Sequence, residues 1–424
     1  MTIALIIFAL LLLLGVPIAY VLGITTIIYI LVTDNIGLML TVPQRLYSGM
    51  ENYGLLAIPL FMLAGELMNF GGITKRLVDV AKTFFGHYLG GLAHVNVIAN
   101  MLLSAIMGSA TAQIAMMSRT MVPEMEKAGY SRAFSAATTA AAGLLGPIIP
   151  PSMMFIIYGV GSGASIGDMF IAGIIPGIIL GLAYMGVIAY IGKKAQWPTQ
   201  PRASMKEITT SMVQVIPALS VPLIIIVGII SGIFTATESA AIACVVALIV
   251  GVFFYRELKL SVLPKVLINT TITTSVITVL IAMANLFGWM LSFEKVPQNI
   301  ANWMVSLSEN PLVFLLLVNI FLLIIGMFMD GMAALIILIP IFMPLLPTYE
   351  IDPIHFGMII CINLTIGILT PPIGSGLYVA SSLANVSLGS LIRALTPFLI
   401  ISVIVLLILT YVPSLTLWLP NALK

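Results

Sequence analysis

The chain has 424 residues, 61% of them hydrophobic and 8% charged, with a formal net charge of +2. A soluble domain carries roughly 25% charged residues, so this composition excludes one and makes the chain a polytopic membrane protein. The small, dispersed charge argues against a nucleic-acid partner, and no GxxxxGK[ST] phosphate loop occurs, so ATP is not expected to be handled here.

Apolar stretches near the ~20 residues that a helix needs to cross hydrocarbon recur, without the ~10-residue alternation of barrel strands, and predict an all-α protein. The first, 2–31, has neither a basic leader nor a cleavage motif and reads as one retained span. A crossing at 54–70 carries Glu66. Next, Ile73, Leu77, Val80, Ala81 and Phe84 share a helical face opposite Lys75, Arg76, Asp79 and Lys82, which predicts an interfacial arm within 71–90. Segment 91–118, with "GSATAQ" (108–113) inside it, is expected to be a re-entrant hairpin. The stretch 131–165 is interrupted by "GPIIPPS" (146–152). Crossings follow at 168–191, 214–233, 237–255 and 266–291, with Glu238 of "TATES" placed as a first-turn acid of its helix. A second arm within 292–310 sets Ile300, Trp303, Met304 and Leu307 against Asn302, Ser306 and Glu309. Segment 311–345, containing "MDGMAA" (329–334), is the second expected hairpin, and 354–385, containing "TPPIGS" (370–375), the second broken span. A last crossing at 390–412 precedes a tail, 413–424. Cys244 and Cys361 are expected to be plain core residues, and His87, His94 and His355 lack metal-ligand spacing.

Charge tests this topology. With the N-terminus inside and both hairpins returning to their side of entry, only Arg45, Lys295 and Lys424 of the 17 Lys and Arg fall outside. That bias matches the positive-inside rule and leaves the C-terminus outside. Sliding the chain on itself so that Gly146 meets Gly367 also pairs Pro150 with Pro371, Pro151 with Pro372, Pro123 with Pro344 and Ser109 with Asp330. The hairpins then enter from opposite faces. Inverted repeats with broken helices are a mark of secondary transporters. The division that follows is scaffold 1–70, arm 71–90, transport half 91–192, scaffold 193–291, arm 292–310, transport half 311–412 and tail 413–424.

A proline inside a helix costs roughly 3 kcal/mol, and the carbonyls it frees cost more in hydrocarbon unless they are satisfied. A cation satisfies them, so the carbonyls of Ile149, Pro150, Thr370 and Pro371 and the Thr370 hydroxyl are candidate Na⁺ ligands, with Gly146 and Gly367 allowing the turns. Asp330, deep in an apolar stretch, needs compensation of ~2.5–3.5 kcal/mol, from an ion or from capping a helix N-terminus. Ser109 and Thr111 hold the matching tip of the first half. No HExxH motif supports an enzyme, and an ion channel has no need of paired inverted hairpins. Proton coupling is the rival to sodium, but the site lacks the chain of Asp, Glu and His that a proton relay uses.

The strings "AIPLFMLAGELMNFGGITKRLVD" (57–79), "GHYLGGLAHVNVIANMLLSAIMGSATAQ" (86–113), "GPIIPPSMMFIIYG" (146–159), "SGIFTATESAAIA" (231–243) and "LIPIFMPLL" (338–346) resemble the large membrane subunit of tripartite ATP-independent periplasmic (TRAP) transporters over nearly the whole chain. The resemblance implies an elevator-type fold related to divalent-anion sodium symporters. It also implies a small four-helix membrane subunit as a separate chain, a periplasmic substrate-binding protein, residence in the bacterial inner membrane, and Na⁺-driven import of a small organic acid without any other cofactor. Carried over by position, one sodium belongs with Ser109, Gly146, Ile149 and Pro150, and another with Gly326, Asp330, Gly367, Thr370 and Ile373. Substrate belongs with Ser109, Thr111, Ser152, Asp330, Gly374 and Ser375. A sugar acid such as sialic acid suits this small, hydroxyl-bearing set best, with a C4-dicarboxylate next. The chain departs from many relatives in carrying Gln113 where they have an acid and Ala236 where they have proline.

Overall fold

The computed structural model describes residues 2–195, 197 and 202–423, and all regular structure among them is helical. In chain order come α1 (Thr2–Leu13), α2 (Ile18–Val32), α3 (Thr41–Met50), α4 (Ala57–Phe70), α5 (Ile73–Phe85), α6 (Gly91–Met107), α7 (Ala110–Lys127), α8 (Arg132–Gly143), α9 (Met153–Ser162) and α10 (Ile166–Ala195). The rest are α11 (Met205–Ile230), α12 (Ala236–Ile249), α13 (Leu263–Phe293), α14 (Val296–Leu307), α15 (Pro311–Phe328), α16 (Gly331–Phe342), α17 (Pro353–Gly367), α18 (Ser375–Ala384), α19 (Leu388–Tyr411) and α20 (Ser414–Ala422). Eight helical segments among the described residues are long and apolar enough to cross a membrane, those built on α10, α11, α13 and α19 among them. Their exposed Leu, Ile and Val, such as Leu223, Ile272 and Ile404, give these segments the apolar outer surface that a membrane-spanning helix presents.

The start of the chain corrects the sequence reading. Residues 2–31 are not one span but α1 and α2, packed on each other. Left-handed Gly15 closes α1, with the Gly15 and Val16 amides donating to the Leu12 and Leu11 carbonyls, and Pro17 opens α2. At 1.5 Å per residue neither helix alone spans a ~30 Å hydrocarbon core. Hydropathy runs straight across the join because only one glycine and one proline mark it. Two more helices escape hydropathy: α3, whose apolar side packs on α13, and α20, which lies on α10 and α17 where a tail is expected. Lys424 lies outside the described residues.

Helices α5 and α14 form within the two stretches whose periodicity predicts a helix. In α5, Ile73, Leu77, Val80 and Ala81 are buried against α6 and α11, while Phe84 at the last turn is exposed. In α14 Met304 is buried but Trp303 is exposed, in keeping with an indole that seeks the membrane interface; the Leu307 side chain lies outside the described residues. Glu238 is indeed a first-turn acid: Thr235 and Glu238 form a reciprocal capping box at the start of α12. Thr235→Ala is expected to cost about 1 kcal/mol, seen as a lower thermal midpoint in detergent, with Thr235→Ser close to wild type.

The repeat is structural as well as textual. Helix pair α6–α7, then α8, a break and α9, is followed in the second half by α15–α16, then α17, a break and α18. Each break contains a cis bond between its two prolines, 150–151 and 371–372. The halves interlock: α16 of the second packs on α9 of the first, and α7 of the first packs on α18 of the second. Arg132 fastens this exchange, donating to the Ala384 carbonyl at 2.6 Å and pairing with Glu126 at 3.0 Å. Interlocking brings the ends of the helix pairs together in the interior, which neither half does alone.

Candidate functional site

The tips are built by backbone rules. Gly108, in the left-handed region at φ 57°, ends α6, and a Cβ there would meet Met153 Cγ at 3.0 Å. Ser109 then stands at the N-cap of α7, its hydroxyl 3.2 Å from that of Thr111. In the second half Asp330 is the N-cap of α16, its Oδ1 accepting from the Met332 and Ala333 amides at 3.0 and 3.4 Å. Its Oδ2 has no hydrogen-bond partner among the described residues. The capping role therefore occupies one oxygen and leaves the other without a protein partner among the described residues.

The two tips face each other across a cavity of about 30 Å³. Ser109, Thr111, Asp330 and Gly331 line it with Pro147 of the first break and Ile368 of the second. The first turns of α7, α9 and α16 reach it through Ala110, Met154 and Met332. Helix N-termini carry a partial positive charge that favours an anion. Among the described residues no Lys or Arg lines the cavity, so helix ends, hydroxyls and any bound cation are what it offers a carboxylate.

The other residues singled out from sequence divide. Ser152 does not line this cavity: it is fully buried, donates to the Pro147 carbonyl at 2.5 Å and caps α9 through the Phe155 amide. Gly374 and Ser375 are also outside it, at the start of α18, with Ser375 exposed. Gly146, Ile149 and Pro150 sit in the first break, where no hydrogen bond among the described residues reaches their carbonyls. In the second break the Thr370 carbonyl is taken by the Gly374 amide at 3.3 Å, while no hydrogen bond among the described residues reaches the carbonyls of Pro371 and Ile373 there, or that of Gly326 near the end of α15. The Thr370 hydroxyl donates to Ile366 and keeps its lone pairs. Gly326 and Gly367 meet backbone to backbone, and a Cβ on Gly367 would fall 2.5 Å from Gly326 Cα.

Sequence reasoning missed Met154, Leu364 and Thr365, which also line the cavity, and two buried amide relays. In the first, Gln113 donates to Asn100, Asn100 to Asn96, Asn96 to Thr139 and Thr139 to the Ser135 carbonyl. This polarity leaves Gln113 Oε1 buried without a donor, directed at Gly146. In the second, Asn363 donates to Asn319, Asn319 to Thr410 and Thr410 to the Leu406 carbonyl. Asn96 and Asn100, one turn apart in an apolar helix, were the visible signal, since buried amides must find partners.

Two helix breaks with free carbonyls, each faced by a hairpin tip that presents a helix N-terminus, define a membrane transporter of the broken-helix class. Residues 5–415 match the family model "Tripartite ATP-independent periplasmic transporter, DctM component", and the chain belongs to that family, as a transporter large permease subunit rather than an enzyme. It is 43% identical over 89% of its length to a Pseudomonas aeruginosa protein named C4-dicarboxylate TRAP transporter large permease protein DctM, covering 88% of that protein. It is 39% identical over 96% of its length to a Vibrio cholerae protein named sialic acid TRAP transporter large permease protein SiaM, covering 95% of it. Among solved structures, the Alcanivorax borkumensis YdaH transporter has a TM-score of 0.62 at 15% identity over 91% of this chain and 88% of that one, a likeness of fold.

Proposed function

We propose that the chain is the membrane-embedded import subunit of a Na⁺-coupled transporter for a small organic acid, working with a small membrane subunit and a periplasmic binding protein in a bacterial inner membrane. The observation that carries this reading is the tip cavity: hydroxyls, helix N-termini and one free carboxylate oxygen, flanked by unsatisfied carbonyls in both breaks. A bound cation at each break supplies the positive charge that the lining side chains lack. Ser109, Gly146, Ile149 and Pro150 would hold one sodium, and Gly326, Asp330, Thr370 and Ile373 the other, with Gly367 giving Gly326 its close approach. The buried Gln113 oxygen faces the first of these.

A cavity of about 30 Å³ is far below the ~300–1,000 Å³ usual for small-molecule sites. Substrate entry therefore needs the tips to separate, which accords with an elevator-like cycle in which arms and scaffold stay fixed. Ser109, Thr111 and Thr365 favour a polyhydroxy acid such as sialic acid over a C4-dicarboxylate. Two sodium ions with a monoanion move one net charge inward, worth ~2.3 kcal/mol per 100 mV.

Proteoliposomes holding the chain and its small subunit, with the binding protein outside and no ATP, are expected to concentrate labelled sialic acid or a C4-dicarboxylate under an inward Na⁺ gradient. Uptake driven by a proton gradient alone would assign the coupling to protons and remove sodium from this reading.

A further inference from the structure

A second cavity, of about 340 Å³, lies between α3 and α13 on one side and α9 and α16 on the other. It stacks on the tip cavity along the same two helices. Met154 and Met332 line the tip cavity, and Ile157 and Ile336, one turn further along α9 and α16, line the larger one. One turn is ~5 Å of rise, so the two spaces follow each other along α9 and α16. Unlike the tip cavity, this one has a cation in its wall. Arg45 of α3 lies with its guanidinium 5.6 Å from the Trp289 ring centroid on α13, and Asn285 and Ser292 flank it. No carboxylate among the described residues pairs with Arg45.

We infer that this cavity is the vestibule through which the organic acid reaches the tips, and that Arg45 is the residue that receives its carboxylate. A guanidinium held over an indole by a cation–π contact keeps its planar fork of N–H donors for a carboxylate. Cavities of ~300–1,000 Å³ are the usual size for small-molecule sites. Hydrophobic walls from α9 and α16 accept the body of the ligand, and Asn285 and Ser292 supply polar contacts. The tip cavity with its helix N-termini begins one turn away along α9 and α16. The inference rests on the organic-acid reading above and assigns the entry step to named residues. The positive-inside count puts Arg45 on the outer face, where a binding protein would release its cargo.

The test is initial-rate uptake of labelled sialic acid and a labelled C4-dicarboxylate by reconstituted wild type, Arg45→Gln, Arg45→Lys and Arg45→Cys. Loss of a charge-assisted contact predicts a KM raised about 10-fold or more in Arg45→Gln, with Vmax held within about twofold and Arg45→Lys intermediate. Arg45→Cys labelled with ethylammonium methanethiosulfonate should regain affinity, and the same variant labelled with the ethylsulfonate reagent should not; Cys244 and Cys361 are both buried. A KM within about twofold of wild type in Arg45→Gln, or a fall in Vmax alone, overturns the vestibule and leaves the transport reading standing. A wild type that concentrates neither acid overturns both.

Discussion

Asp330→Asn is expected to leave the protein folded and to lower sodium-driven uptake by about 10- to 100-fold, as loss of a charged ligand worth ~1.5–3 kcal/mol implies. The two roles of this residue are separable because they use different oxygens. Oδ1 caps α16 through the Met332 and Ala333 amides, and an Asn side-chain oxygen does that nearly as well. Oδ2 has no protein partner among the described residues, Asp330 lines the cavity, and Asn supplies no charge there. Asp330→Ala removes both and should add ~1 kcal/mol of instability to the same functional loss. Thermal midpoints in detergent and uptake rates, measured on both variants, separate cap from charge. Full uptake by Asp330→Asn would reduce the residue to a cap and take it out of the second sodium site.

The second large effect is steric. Gly367→Ala would place a Cβ 2.5 Å from Gly326 Cα and 2.7 Å from its carbonyl carbon, both backbone atoms that cannot swing away. Either α15 and α17 separate or the second break changes shape, and overpacking of this kind costs about 1–3 kcal/mol or more. The reciprocal change, Gly326→Ala, meets Gly367 Cα at 3.0 Å and should be milder. The expected order in both thermal stability and Na⁺-dependent uptake is wild type, then Gly326→Ala, then Gly367→Ala. Equal tolerance of the two alanines would mean that the helices do not meet at this distance in the membrane.

Much of the site was legible because the breaks are costly. Nothing but a compensating function keeps a doubled proline in an apolar helix, twice and in register, and the lone carboxylate at Asp330 carried a similar signal. Ser109 and Thr111 followed from register with that tip, and the cavity does join all three. The serine after the first break reads as equivalent from its residue type alone, yet Ser152 turns its hydroxyl to the Pro147 carbonyl. Thr365 could not be picked out from its neighbours in α17, since nearly all of that helix is buried and its weak periodicity hides which side faces the tips. Arg45 was legible only as a charge for topology; its partner Trp289 is far along the chain.

The sequence by itself determined that this is an all-helical membrane protein with a repeated pair of broken helices, because hydrophobic length, charge bias and paired prolines are local or periodic properties. It placed the arms and the α12 cap on the same grounds. Only the tertiary structure decided where the chain turns without a strong local signal, as at Gly15 between α1 and α2, and which polar groups spend themselves on the backbone. It alone decided that each hairpin packs on the other half's broken helix. That exchange makes the site from residues of both halves, and its physical cause is the fit of helix against helix across long sequence separations, which no periodicity records.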